Sequence, residues 1–340
     1  MNITLKDVAR HANVSTKTVS RVVNNQSEIS AATRARVQSA IQELGYRPNI
    51  LARSLVNKRS NTIAVVASGI EYFGPSRAII GIEQHADAFG YSLALNLLPD
   101  PENDNVKPIL DELIARRVDG IVWAVPEIGG NHDWLQAENL DQLPPIVLLS
   151  MGARADLSIV AVDNRAGAKL AVTHLLEQGR RRVGIITGPL DWWEAHQRLL
   201  GWQDTLTRAG LDIEPRMIVG GDWNPPSGER AMETLLAQVP ELDAVFACND
   251  QMALGALGIL HRAGKRVPQD IAVVGFDNLP ESPFFLPPLT TVHQQVIEIG
   301  RAAVQELHAQ IDVCCRNEFK RAETRQLVPT LIVRASSKPI

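Results

Sequence analysis

The 340-residue chain is poor in the residues that most often announce chemistry. It has only three cysteines, Cys248, Cys314 and Cys315, one in an apolar run and two adjacent. That pattern offers neither zinc-ligand spacing nor a disulfide framework, so no metal or cofactor is expected and the thiols are read as reduced. No G-x-G-x-x-G, P-loop, G-x-S-x-G or H-E-x-x-H occurs, and His85, His174, His196 and His293 stand singly. The usual nucleotide, acyl-transfer and metalloprotease chemistries therefore lack their residues, and no catalytic residue is assigned. No secretory apolar segment opens the chain and no apolar run reaches membrane length, so a cytoplasmic protein without a membrane partner is expected. Aromatics are scarce too, at 5%, which gives weight to where the six tryptophans fall.

Hydrophobic residues, by contrast, make up 45% of a chain too long for one typical domain, so two or three domains with substantial cores are expected. Charge is unevenly distributed. Residues 1–59 hold ten lysines and arginines against three acids, a balance of +7, whereas the whole chain is −4, leaving −11 on the remainder. A basic head on an acidic body fits a chain that meets phosphate with one segment only.

That head carries TLKDVARHANVSTKTVSRVVN from Thr4 to Asn24. Thr4 can cap a first helix with Asp7 three residues on, and Leu5, Val8 and Ala9 give it an apolar face. Asn13 tolerates the left-handed backbone of a sharp reversal. Ser15 caps a second helix that turns Val19, Val22 and Val23 inward and Thr16, Lys17, Ser20 and Arg21 outward. A third helix fits Ser30 to Leu44, with Val37, Ile41 and Leu44 inward and Gly45 as its stop. An ordinary helical hairpin would show the same caps; the charge favours a helix-turn-helix entering the major groove.

The DVA, VS, TVSRV and GYRPN elements, in this order and spacing, resemble the lactose and galactose repressor (LacI/GalR) family of bacterial transcription regulators, and the resemblance runs the full length. It implies that Thr16 and Lys17 set operator preference, that Arg21 supports base contact, and that positions around Asn24 and Tyr46 meet the DNA backbone. Thr4, Ser15, Thr18, Ser20 and Asn49 complete the expected DNA-facing set. Glu28 departs from the pattern and is expected to turn from phosphate or bear on specificity. After Pro48, NILARSLVNKRS is too short for a stable lone helix. A plain linker is one reading. The resemblance implies instead a hinge helix over about 49–57 that orders on the operator, with Ala52 and Leu55 at the minor groove and Leu55 as its wedge.

From Thr62 onward nine short Val/Ile-rich runs alternate with helical patterns, the mark of parallel sheets covered on both faces. The expected fold is thus α/β: an all-helical head, residues 1–57, then two doubly wound parallel-sheet subdomains resembling periplasmic binding proteins. The effector-binding and dimerisation body is placed at 61–340, its N-subdomain at about 61–161 and 290–321 and its C-subdomain at about 162–289 and 322–340. Asn164 is read as the cap of the helix at the break. The chain ends at SSKPI without a leucine heptad, so a homodimer rather than a tetramer is expected, on a palindromic operator.

Ligands of open α/β sheets bind beyond the carboxyl ends of strands. Trp123, Trp192, Trp193 and Trp223 all lie at such ends, beside acids and amides, and suggest rings stacked on a sugar; each alone could equally be core. Trp202 is read as packing and Trp134 as a surface anchor. The resemblance implies Arg198 as the hydroxyl-binding arginine, Trp223 as the stacking ring, Asn249, Gln251 and Asp277 as polar partners, and Tyr72, Pro75 and Ser76 from the other subdomain. Ala124 and Ser150 replace polar or acidic contacts of galactoside-type relatives, and Asp191-Trp192-Trp193-Glu194 is bulkier than their serine-rich loop. A repressor released by a sugar effector, a β-linked disaccharide or glycoside, is the leading expectation. The alternatives are a regulator of the same family with a purine-like corepressor, an enzyme on a doubly wound fold, and a transport-type binding protein.

Overall fold

A computed structural model describes residues 3–23, 29–46, 59–98, 105–128, 131–135, 143–316 and 321–338. The chain divides into two compact units, Met1–Ser60 and Asn61–Ile340.

The first unit contains α1 (Leu5–His11), α2 (Thr16–Val23) and α3 (Ala31–Leu44). Asp7 accepts from the backbone N–H and hydroxyl of Thr4, at 2.9 and 2.6 Å, closing the start of α1. Asn13 takes the left-handed backbone between the helices (φ 50°), and Gly45 takes it at the end of α3 (φ 63°). Val8, Ala9, Val19, Val22 and Val37 are buried in one small core with Ala12, Ala40 and Tyr46. Ile41 and Leu44 pack only partly against it, because Ala40 takes the inward position one residue earlier. His11 and Glu43, 2.8 Å apart, tie α1 to α3.

The second unit has two lobes. Lobe 1 is a parallel sheet in the order β11-β5-β4-β3-β1-β2, made of β1 (Thr62–Ala67), β2 (Ser92–Leu97), β3 (Gly120–Ala124), β4 (Ile146–Leu149), β5 (Ser158–Val162) and β11 (Thr324–Leu327). The two-residue period of β1 divides its side chains between two cores. Ile63, Val65 and Ala67 face α4 (Phe73–Ala88) and α10 (Val296–Cys315), while Ala64 and Val66 face α5 (Lys107–Ala115). Lobe 2 has the order β12-β10-β9-β8-β6-β7, made of β6 (Val183–Thr187), β7 (Ile218–Gly220), β8 (Ala244–Ala247), β9 (Ala272–Asp277), β10 (Thr290–His293) and β12 (Thr330–Ile332). Among the described strands of this sheet only the β10–β12 pair is antiparallel. Helices α6 (Asn164–Glu177), α7 (Trp193–Arg208), α8 (Pro225–Gln238) and α9 (Asp250–Arg262) cover this sheet.

Three crossings join the lobes: Val162 to Asn164, His293 to Val296, and Leu327 to Thr330. Two of them shift the expected subdomain boundaries. Residues 290–293 belong to the lobe 2 sheet, and 324–327 to the lobe 1 sheet. Neither strand carries a strong apolar pattern, and β11 is an exposed edge reading Thr-Arg-Gln-Leu, so periodicity passed over both. The cap of α6 also moves by one residue: Asp163 accepts from the N–H of Ala166 at 2.8 Å, and Asn164 is the buried first helical residue.

Glycine sets how closely two helices of lobe 1 approach. A Cβ on Gly81 of α4 would lie 2.2 Å from the Ile297 carbonyl oxygen, and one on Gly300 of α10 would lie 2.4 Å from that of Ala78. Each helix therefore rests on the other's backbone. Gly300→Ala is expected to cost about 1–3 kcal/mol by forcing the pair apart, whereas Gly74→Ala, with nothing within 4 Å of the new methyl, should be neutral or slightly stabilising. Urea unfolding monitored by circular dichroism checks the contrast.

Candidate effector cleft and DNA-reading head

The carboxyl ends of both sheets face one cleft of about 860 Å³, counted to its open mouth. Its walls differ. Lobe 1 offers Pro75, Ala78, Ala124, Leu149, Val162, Val296 and Ile299 with Tyr72 and Phe73, an almost wholly apolar surface. Lobe 2 offers Asn164, Trp192, Glu194, Arg198, Trp223, Asn249, Gln251 and Asp277.

Arg198 organises the polar wall. It rises from the second turn of α7 and is only 5% exposed. Its Nε donates to Asn164 Oδ1 at 2.8 Å, and Nη1 donates to the Cys248 carbonyl. The guanidinium lies over the Phe276 ring at 3.8 Å and 5.5 Å from Trp223. Asp277 Oδ1 stands 4.0 Å from Nη1 and accepts from Gln294 Nε2. Nη2 donates to none of the described residues, so the fork presents that edge to the cleft.

Ring positions are fixed as firmly. Trp223 is held in a left-handed backbone (φ 71°) and its carbonyl accepts from Asn249 Nδ2 at 2.9 Å. Gly188 makes room for the indole, since a Cβ there would fall 2.2 Å from it. Trp192 meets Trp223 edge to face at 5.9 Å and Tyr72 at 5.7 Å. Ser150 and Asp277, also lining the cleft, are left-handed too (φ 54° and 120°). Such backbone costs about 1–3 kcal/mol per residue and persists where surrounding packing over-determines it.

Tyr72, Pro75, Ser150, Trp192, Glu194, Arg198, Trp223, Asn249, Gln251 and Asp277 thus line one cleft. Four expected residues do not. Trp123 is 2% exposed and points to the opposite face of its sheet, into the core below α5, because β3 alternates. Trp134 packs against it with the rings tilted, centroids 4.5 Å apart, half-buried rather than an exposed anchor. The Ser76 hydroxyl turns back to the Phe73 carbonyl of its own helix at 3.0 Å. Asp191 is exposed outside the cleft, and Trp193 packs against the core of lobe 1. Asn249 reaches the cleft but spends its amide on Trp223 and on capping α9, accepting from the Met252 N–H at 2.8 Å. Asn164, Phe73 and Gln294 went unnoticed in the sequence; Asn164 reads there as a mere cap, and the other two carry no local signal.

Burial pushes the Asp277 carboxyl up to about 7 against the opposing pull of Arg198, with buried Asp250 adding to the rise. Burial likewise raises Glu194 to about 7, and its Oε2 is enclosed without a hydrogen-bond partner among the described residues. The Cys248 thiol, pushed up to about 12 by burial, is inert.

In the head, Thr16 and Lys17 are exposed at the start of α2. Ser15 Oγ accepts from the Thr18 N–H at 3.1 Å and bonds the Thr18 hydroxyl at 2.9 Å, so both serve the cap. Thr4 is likewise engaged at its own helix start. Ser20 and Arg21 are half-buried, and Tyr46 is 9% exposed, its ring part of the core rather than of an open surface. Asn24, Glu28, Asn49, Ala52 and Leu55, with the expected hinge over 49–57, lie outside the described residues.

Residues 4–49 match the model of bacterial regulatory proteins of the lacI family, and 172–337 match a periplasmic binding protein-like domain. The transcriptional repressor PurR of Haemophilus influenzae (strain PittEE) is 37% identical, over 99% of both chains. The transcriptional repressor CytR of Escherichia coli K12 is 36% identical, over 99% of this chain and 97% of its own. The chain belongs to the LacI family.

Among solved structures, this LacI-family chain matches the Lac repressor bound to ONPG in its repressed state with a TM-score of 0.87 and 31% identity, over 99% of this chain and 100% of that one. It matches a complex of the transcriptional regulator CelR with cellobiose with a TM-score of 0.72 and 31% identity, over 98% and 99%. It is a DNA-binding transcriptional repressor of that family, with a ligand-binding body of two parallel-sheet lobes. The full-length relatives are named as repressors, not enzymes. Among the described residues no helix is long and apolar enough to cross a membrane, and no group of side chains is placed to hold a metal ion.

The two raised carboxyls carry a sign that can be measured. Their folded pKa near 7 lies above an unfolded value near 4. Their neutral form is therefore favoured in the fold. The stability this gives is full below about pH 4 and is lost as pH rises through about 7. Asp277→Asn with Glu194→Gln should remove that loss, so the stability difference between variant and wild type shifts in the variant's favour from pH 5 to pH 8. Chemical unfolding across that range measures it; a pH-independent difference would refute the assignment.

Proposed function

We propose that this repressor releases its operator when a neutral sugar, a β-linked disaccharide or an aryl-type glycoside, binds between the lobes. The observation that carries the reading is the pairing of Trp192 and Trp223 with a buried, preset Arg198–Asp277 pair on one wall. Indole faces suit the apolar face of a pyranose, and Arg198 Nη2, Gln251 and the two carboxyls suit its hydroxyls. The aliphatic wall of lobe 1 suits a second ring or an aglycone. A relative of similar length, CelR, was solved with cellobiose. Effector binding acts by unequal affinity for two lobe arrangements, which sets operator affinity through the DNA-reading head. That head reads a near-palindromic operator as a homodimer, with Thr16, Lys17 and Arg21 at the bases.

A flat purine or nucleoside is the second reading, favoured by aromatic side chains on both walls, Tyr72 and Phe73 against Trp223. The two readings differ in sign. Operator gel shifts titrated with cellobiose, with an aryl β-glucoside and with hypoxanthine separate them: release by a sugar supports the first reading, and tightening by hypoxanthine the second.

Arg198→Ala should lose sugar binding by at least tenfold in calorimetry, since buried partners are left unpaired at a cost of about 1–3 kcal/mol or more. The same variant should keep operator affinity. Wild-type sugar affinity in both Arg198→Ala and Trp223→Ala would remove the cleft from the account. In the head, exchanging Thr16 and Lys17 should change the preferred bases in a selection from randomised sites, whereas loss of a phosphate contact weakens binding to all sequences alike.

A further inference from the structure

Beyond the three chain crossings, the lobes exchange aromatic side chains. Trp193 opens α7 of lobe 2, yet its ring packs against the hydrophobic core of lobe 1. There it covers Gly152, where a Cβ would come within 3.4 Å of the indole nitrogen. Tyr72, at the start of α4 in lobe 1, packs in turn against the core of lobe 2. Between these anchors the Trp193 backbone N–H donates to the Glu127 carbonyl at 3.1 Å, and Ile128 pairs with Trp192 in an antiparallel bridge between the lobes.

The lobe 1 side of this contact is held by its own hydrogen bonds. Glu127 accepts from the Gly152 N–H at 2.8 Å and from Arg154 at 3.0 Å, with His132 at 3.4 Å. Asn131 donates to the Pro126 carbonyl at 2.8 Å and accepts from the Ile128 N–H at 3.1 Å. These bonds hold Glu127 and Ile128 where the backbone of Trp192 and Trp193 meets them.

We propose that Trp193 is a positioning residue: packed against lobe 1, it holds a cross-lobe clasp that fixes Trp192 against Trp223 and ties the two lobes together beside the cleft. Trp192 is thereby both the bridge residue and a wall of the cleft. Any ligand that stacks on it meets a surface whose place depends on lobe closure, so binding and closure are one event. Trp193 itself touches no ligand in this scheme. The inference rests on contacts between the lobes and is independent of which effector the cleft takes.

The test uses the full-length protein labelled with 5-fluorotryptophan, without ligand, and reads its six fluorine resonances, assigned by single Trp→Phe variants. Trp193→Ala should move or broaden the Trp192 and Trp223 signals and leave that of Trp202, which is buried in the lobe 2 core, in place. Gly152→Leu should do the same by unseating the ring from the other side, and Trp193→Phe should restore the Trp192 signal towards wild type. The Trp202 signal reports that each variant is folded. Trp192 and Trp223 signals that neither variant moves overturn the proposal.

Discussion

A guanidinium almost sealed from water is the constraint around which the body is arranged. Arg198 brings a charge into the interior, and leaving it unpaired there would be costly. The fold meets that cost with groups from three separate segments: Asn164 at the start of α6, the Cys248 carbonyl past β8, and on β9 the Phe276 face and the Asp277 carboxyl. Those segments converge only because a parallel sheet delivers all its carboxyl ends to one edge. Asp277, held by Gln294, then couples this lobe to the crossing between β10 and α10.

The same economy governs the ring wall. Trp223 could not occupy its place beside a larger residue than Gly188, nor without the Asn249 amide on its carbonyl. Asn249 in turn caps α9, whose next residue, Asp250, is buried and bonds Ser282, Thr291 and the Leu279 N–H. A chain of buried polar contacts therefore runs from a stacking surface into the core of lobe 2. Left-handed backbone at Ser150, Trp223 and Asp277 brings three of the cleft's lining residues to their places, as expected where packing holds a site ready in advance.

Local physics made much of this readable from residues alone. Caps, turn residues and 3.6-residue spacing marked α1 to α3, because each is settled within a few residues. The Asn13 reversal and the Gly45 stop follow from backbone sterics that no tertiary context alters. Nine apolar runs alternating with helical stretches sufficed for two parallel sheets. Short polar strands were not legible: β11 owes its pairing to β5, which lies 165 residues earlier (324 − 159), β10 follows a proline-rich loop from its neighbour β9, and neither carries its own apolar pattern.

What residues by themselves determined, then, was a basic helical head, a doubly wound body and the strand ends where a cleft must lie. Arg198, Trp223 and Asp277 fall within those strand-end stretches, and it was the family resemblance that singled them out there. Which face a side chain takes, and whose core it fills, was decided only by the tertiary structure. Trp123 and Trp192 both end strands or their loops, yet one is core and the other cleft wall, because the two-residue alternation sends Trp123 beneath its sheet. Trp193 differs from Trp192 by a single position, and that step carries its ring out of the cleft and into the opposite lobe. The reason is physical: spacing fixes direction relative to a residue's own element, while the partner met in that direction is supplied by a segment distant in the chain.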